Sequence, residues 1–108
     1  MTTALCEATR LVVARDGPWT VVRPEGDLDV WAGTQLDAAL RNVVEAGAQV
    51  AVDMAGVGFV DPSGLAALLA ASREAARRGA TLVVRAPQRP VARVLATSGS
   101  DRLLTIEW

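Results

Sequence analysis

Apolar residues along this chain follow two different spacings. Short runs rich in Val, Leu and Thr, bounded by turn-forming residues, predict five β-strands. The first two runs flank the turn-forming pair Asp16-Gly17, which predicts a β-hairpin, and the third is of the kind buried in the centre of a sheet. The strands are predicted at residues 11–14, 19–24, 49–54, 81–85 and 103–106.

Between these strands, apolar residues recur three and four positions apart, which indicates three helices. The first is expected to begin at an Asp29 N-cap or, alternatively, at Thr34, and to end at Gly47. Its apolar face is predicted at Leu36, Leu40, Val43 and Val44. The other two helices are predicted from Ser63 to Arg78 and from about Pro90 to near Gly99.

The resulting order, β-β-α-β-α-β-α-β, predicts an α/β fold with a mixed sheet of about five strands flanked by three or four helices. Strands joined through helices favour parallel neighbours with right-handed connections. The chain has 108 residues, 51% of them hydrophobic, which is enough for one compact core and too little for two ordinary domains. We therefore expect a single domain over residues 1–108.

The amino-acid composition excludes several types of catalytic and binding site. His, Lys and Tyr are absent, so a Ser-His-Asp triad, a Ser-Lys dyad and a phosphate-binding loop with its lysine are all excluded. A single cysteine, Cys6, without histidine predicts no structural metal, and no cofactor is expected. A hydrolase using the carboxylates of Asp27, Asp29 and Asp61 is a remaining but disfavoured alternative, so we expect no enzyme activity.

Charge and hydropathy limit the partners and the location. The net charge is −1 and the eleven basic residues, all arginine, are scattered along the chain, so nucleic acid is not an expected partner. No stretch approaches the roughly 18 apolar residues of a membrane span, and the first residues lack the pattern of a secretory signal. We therefore expect a cytoplasmic protein that does not bind membranes.

Ser63 lies where the second helix is predicted to begin, within Asp61-Pro62-Ser63-Gly64-Leu65. A helix start offers free backbone N–H groups and the positive end of the helix dipole, so it tolerates an added negative charge. Ser63 is therefore a candidate modification site. The alternative is that Ser63 is only an N-cap.

Three segments resemble the STAS domains of anti-sigma factor antagonists. The stretch 52–65 is similar to the family's apolar strand, short loop and Asp-x-Ser-Gly-Leu motif. Gly26-Asp27-Leu28-Asp29 resembles the Gly-acid-apolar-Asp element before the family's first helix. Residues 90–95 resemble its third helix, so the resemblance covers most of the chain in the right order.

This resemblance implies a bacterial partner switch that controls transcription. The implied partner is an anti-sigma factor with serine kinase activity, which phosphorylates Ser63. The unphosphorylated protein binds that partner and frees a sigma factor, the phosphorylated protein is released, and a serine phosphatase restores it. The partner-binding residues implied are Asp27, Asp29, Asp61, Pro62, Ser63, Gly64 and Leu65.

Within that set, Asp29 and Asp61 have two interpretations. Either Asp29 is only a cap and Asp61 only an N-terminal acid favoured by the helix dipole, or both help to position the serine hydroxyl or the kinase's nucleotide-bound metal. Pro62 departs from the family pattern and removes a backbone donor near an incoming phosphate, and the family's additional terminal helix does not follow Trp108. A second functional hypothesis is a STAS subunit of a larger assembly, such as a stress-signalling or lipid-transport complex, in which Ser63 is never modified.

Overall fold

The computed structural model describes residues 9–108, and its element order is the predicted one. Cys6 and the other residues before Thr9 lie outside the described part of the chain. The strands are β1 Thr9–Asp16, β2 Trp19–Gly26, β3 Gln49–Asp53, β4 Leu82–Arg85 and β5 Thr105–Glu107. The helices are α1 Val30–Glu45, α2 Pro62–Arg77 and α3 Arg89–Thr97, with a 3-10 turn at Ser100–Arg102.

The five strands form one sheet whose spatial order, β1-β2-β3-β4-β5, equals the order along the chain. β1 is antiparallel to β2 and the remaining pairs are parallel, which confirms the predicted mixed sheet. Because each right-handed crossover advances the sheet in the same direction, all three helices fall on one face. Apolar residues of α1, α2 and α3 share a core on that face with Val22, Val52 and Val84.

The opposite face of the sheet is covered by its own side chains. Val21, Ala51 and Val83 form a small buried row there, with Trp19 packed against it. The Arg85 guanidinium lies 5.1 Å from the centroid of the Trp19 ring, within the range of a cation–π contact. The Trp19 ring, with Arg85 over it, therefore covers part of this row on a face that no described helix covers.

One alternative helix start and one predicted strand boundary are wrong for identifiable reasons. Thr34 does not start α1, because Asp29 caps the helix and the Thr34 hydroxyl donates to the Val30 carbonyl one turn earlier. The last strand occupies 105–107 instead of 103–106, because the 3-10 turn continues into Leu103, which is exposed, and Leu104 turns into the core. The segment was correctly predicted to be apolar, but the spacing of its apolar residues did not give the right position of the strand.

The sequence predicts that Trp19, Trp31 and Trp108 fill the core or its edge, with Trp31 alternatively a partner anchor, and the structure places only Trp19 against buried residues. Trp31 is 56% exposed at the start of α1, and Trp108 is 73% exposed at the end of the chain. Over residues 9–108, no helix combines the length and the hydropathy that crossing a bilayer requires.

Candidate functional site

Two loops meet at the carboxyl ends of β2 and β3. The amide of Leu28 donates to the Phe59 carbonyl (2.8 Å), and the amide of Asp61 donates to the Leu28 carbonyl (2.9 Å). Leu28 and Val60 form an isolated parallel bridge, and both side chains are buried. The segment carrying Asp27 and Asp29 is thereby held beside the segment carrying Asp61 and Ser63, a proximity that the sequence alone does not show.

Asp61 is the N-cap of α2, which corrects the interpretation of Ser63 as the cap. Its Oδ1 accepts hydrogen bonds from the amides of Ser63 (2.8 Å) and Gly64 (3.2 Å). The next amide, that of Leu65, already bonds to the Asp61 carbonyl (3.1 Å). The backbone donors expected to be free at this helix start are therefore occupied, and a carboxylate sits against them.

The Ser63 hydroxyl lies in the first turn of α2, two residues after the cap. Ser63 is partly exposed, and within residues 9–108 its hydroxyl makes no hydrogen bond. Pro62 occupies the first helical position, where a backbone N–H has no intrahelical acceptor and the proline ring already has the helical φ. The loss of a donor expected at Pro62 therefore has little consequence, and Pro62 fixes where the helix begins.

Gly64 and Gly33 allow the first turns of α1 and α2 to touch. A Cβ on Gly64 would lie 3.2 Å from the Leu28 Cβ, and a Cβ on Gly33 would lie 3.0 Å from the Gly64 amide nitrogen. Both distances are shorter than ordinary carbon contacts. The Gly33 requirement was not predicted, because one sequence does not reveal which helix faces which.

Asp29 caps α1 in the same way that Asp61 caps α2. Its Oδ1 accepts from the Ala32 amide (2.9 Å), which confirms the predicted cap. The two acidic caps belong to helices whose first turns are in contact, so both carboxylates lie at the same end of the domain as Ser63. Leu65 is partly buried and packs against the main core, which anchors the turn that carries the serine.

Exposed apolar side chains surround these caps and were missed from the sequence. Val30 is 64% exposed and Phe59 is 50% exposed, and both occupy the segments joined through Leu28. Phe59 lies in an apolar run of the sequence, whose period gives no sign that it faces solvent. Large exposed apolar groups beside acidic caps are typical of a protein-binding surface.

A shallow furrow runs between α1 and α2 from Ser63, with a volume of about 390 Å³. It is lined by Gly33, Thr34, Asp37, Ser63, Ala66, Ala67 and Ala70. Its small side chains form a surface feature instead of an enclosed cleft, and none of the three candidate hydrolase carboxylates lines it. Among residues 9–108, no cluster of three or more Cys, Asp and Glu side chains is arranged to hold a metal ion.

Substitution of Asp61 separates its capping role from its charge. Asp61→Ala removes the acceptor of two amide bonds and is expected to lower the free energy of unfolding by about 0.5–2 kcal/mol. Asp61→Asn keeps an acceptor at the same position and is expected to stay within a few tenths of a kcal/mol of the wild type. Urea denaturation followed by circular dichroism measures both, and equal losses in the two variants would contradict the capping role.

Comparison with known proteins assigns the chain to a family. The family model described as "Mlab, STAS domain" matches residues 11–105. Among solved structures, an anti-sigma factor antagonist from Mycobacterium paratuberculosis superposes with a TM-score of 0.85 at 20% identity, covering 94% of this chain and 86% of that one. At this identity the likeness concerns the fold.

Two further structures show the range of proteins that contain this fold. The phosphorylated form of SpoIIAA, a Bacillus cell fate determinant, matches with a TM-score of 0.71 at 20% identity over 92% of both chains. The murine anion transporter Slc26a9 matches with a TM-score of 0.67 at 17% identity, over 86% of this chain but only 16% of the transporter. The same fold is thus found in a Bacillus cell fate determinant and in a minor part of a murine anion transporter.

Proposed function

The chain belongs to the STAS domain family, and from this membership we propose that it is an anti-sigma factor antagonist switched by phosphorylation of Ser63. Unmodified, it binds an anti-sigma factor with serine kinase activity; phosphorylated, it is released until a serine phosphatase removes the phosphate. In this role the chain is a substrate and not a catalyst, it acts in the cytoplasm, and it binds neither nucleic acid nor membranes.

The observation that carries this proposal is the position of the Ser63 hydroxyl. Ser63 is partly exposed and lies at the start of a helix, and its hydroxyl makes no hydrogen bond within the described residues. A kinase can reach such a group without unfolding the helix, and nothing in the core depends on it. The hydroxyl is therefore suited to be an acceptor of phosphate.

The Asp61 cap explains why the phosphate would act on binding and not on the fold. A phosphoserine adds about −1.5 to −2 charges at neutral pH. The two amides nearest Ser63 are already bonded to Asp61, so the phosphate gains no ready donor and faces a carboxylate instead. Its charge stays directed toward solvent, where a docked partner would have to bury it.

The proposed partner surface combines acidic caps with exposed apolar groups. It comprises Asp27, Asp29, Asp61, Pro62 and Ser63, with the buried Gly64 and the partly buried Leu65 supporting the turn that carries the serine. Val30 and Phe59, which flank these residues, extend it. A surface of this composition suits a partner with an apolar patch and a basic rim.

The direct test is phosphorylation of the purified protein by a candidate kinase. Incubation with ATP and the cognate anti-sigma factor is expected to add one phosphate, which tandem mass spectrometry assigns to the Ser63 peptide. Ser63→Ala is expected to gain none, while Ser72→Ala, which alters another serine of α2, is expected to be modified like the wild type. Phosphate on another residue in the wild type would contradict the proposal.

A second candidate is a STAS subunit of a larger assembly, such as a stress-signalling or lipid-transport complex, in which Ser63 is not modified. Two findings favour keeping it: the matching family model carries the description "Mlab, STAS domain", and the fold recurs as 16% of an anion transporter. Under this candidate, Ser63→Ala and Ser63→Asp both co-purify with the other subunits, and no kinase modifies the Ser63 peptide.

A further inference from the structure

β1 is one of the two longest strands of this sheet, and its outer edge pairs with no described strand. β1 spans eight residues, pairs with β2 on one side, and stands first in the sheet order, so no described strand pairs with its other side. Val12 is 39% exposed and Val13 is 52% exposed. Proteins usually protect such an edge with proline or central charges, and the charges of β1 are confined to its two ends.

Pro24 identifies which residues of β1 direct their main-chain groups outward. Pro24 has no N–H, so it suits a position of β2 that makes no ladder bond to its partner, Leu11. Ladder bonds in an antiparallel pair alternate from residue to residue. Leu11, Val13 and Arg15 therefore present their N–H and C=O groups to the open edge.

The charged residues of β1 can form ion pairs with those of a second, antiparallel copy of the strand. In antiparallel pairing of two β1 strands, outward residues must meet outward residues, so only registers that differ by two residues are permitted. When Val13 faces Val13 of the second copy, Arg10 lies opposite Asp16, and the symmetry produces this pair twice. A shift by two residues in either direction places Arg10 opposite Ala14, or Val12 opposite Asp16, and both ion pairs are lost.

Arg10 and Asp16 are available for this pairing. Both are exposed, neither has an ion-pair partner among residues 9–108, and both lie on the sheet face opposite the helices. In the permitted register they form non-hydrogen-bonded cross-strand pairs, whose side chains approach most closely. In the same register, the outward N–H and C=O groups of Leu11, Val13 and Arg15 form hydrogen bonds with the second copy.

We propose that β1 pairs with β1 of a second copy, with a two-fold axis at Val13, to form one ten-stranded sheet. Edge pairing alone buries less area than a standard stable interface, so the dimer is weak and forms at micromolar to millimolar concentration. The axis lies at the β1 edge, away from the α1 and α2 starts that hold Ser63. The proposal is independent of the switch.

The test measures the dimer dissociation constant by sedimentation equilibrium over that concentration range. It compares the wild type with variants in which the charged residues at the ends of β1 are exchanged. Asp16→Arg places arginine opposite arginine twice and is expected to weaken the dimer about tenfold or more. The double variant Arg10→Asp with Asp16→Arg restores both pairs and is expected to recover the wild-type constant. Arg102→Asp, a charge reversal at an exposed residue outside β1, is the matched control and leaves the constant unchanged.

Val13→Pro provides a second, uncharged test. It removes an outward N–H without touching the bonds between β1 and β2, so circular dichroism is expected to report an intact fold while dimerisation is lost. A wild-type protein that stays monomeric at millimolar concentration overturns the proposal. A dimer that tolerates both Asp16→Arg and Val13→Pro, or a double variant that fails to recover the dimer lost in Asp16→Arg, also overturns it.

Discussion

Ser63→Asp is expected to bind the cognate anti-sigma factor about 30- to 150-fold more weakly than Ser63→Ala, which corresponds to about 2–3 kcal/mol. The new carboxylate would lie beside Asp61, whose Oδ1 is 2.8 Å from the residue-63 amide, and would be buried without a counter-ion in the complex. Removing the hydroxyl in Ser63→Ala costs no described hydrogen bond, so this variant is expected to bind as tightly as the unmodified protein. Isothermal titration calorimetry measures both constants.

The control for this pair is a charge of the same kind placed away from the site. Thr81 is exposed and precedes β4, at the end of the sheet opposite Ser63, so Thr81→Asp is expected to bind like the wild type. The unfolding transitions of all three variants should agree within about 1 kcal/mol, because Ser63 lies outside the core. Equal affinities of Ser63→Ala and Ser63→Asp would refute the switch and favour the assembly subunit.

Gly33→Val is expected to destabilise the fold by about 3 kcal/mol, at the upper end of what overpacking costs. The first added carbon would lie 3.0 Å from the Gly64 nitrogen, a backbone atom with no rotamer to change, and the two further methyl groups require still more space. α1 and α2 would have to separate where the acidic caps and Ser63 meet. Urea denaturation measures the loss of stability, and partner binding is expected to weaken with it.

A matched glycine distinguishes packing from the general cost of adding a β-branched side chain. A Cβ on Gly58 would find its nearest neighbour at 3.9 Å, the Asp27 Oδ1, and the Gly58 backbone does not have a positive φ. Gly58→Val is therefore expected to stay within about 1 kcal/mol of the wild type. If both valine variants lost the same stability, the α1–α2 contact would not be the cause.

The order of elements was predictable because each depends on local periodicity. Alternating runs gave the strands, three- and four-residue spacing gave the helices, and Asp29 was recognised as a cap from its place before the apolar face of α1. The cap of α2 was harder, since Asp61 and Ser63 are both good capping residues. Pro62 decides between them. Because proline favours the first helical position, the cap is the residue before it.

Features that depend on contacts between distant segments could not be predicted. The need for glycine at position 33 arises from Gly64, and the two are paired only once the helices pack. The exposure of Trp31 and Phe59 likewise depends on which sides of their segments the core uses. Exposed apolar residues look like core residues in a sequence, so Val30 and Phe59 were not identified, whereas the acidic residues were suggested by the family resemblance.

The agreement between strand order in the sheet and strand order in the chain has a consequence for how the protein folds. Each strand pairs with the strand just before it, so every sheet contact closes a loop of only one helical crossover, or of one turn in the hairpin. Folding rates fall as the chain separation between contacting residues grows. The sheet can therefore grow one βα unit at a time from the hairpin, because no strand has to pair with a segment far away in the sequence.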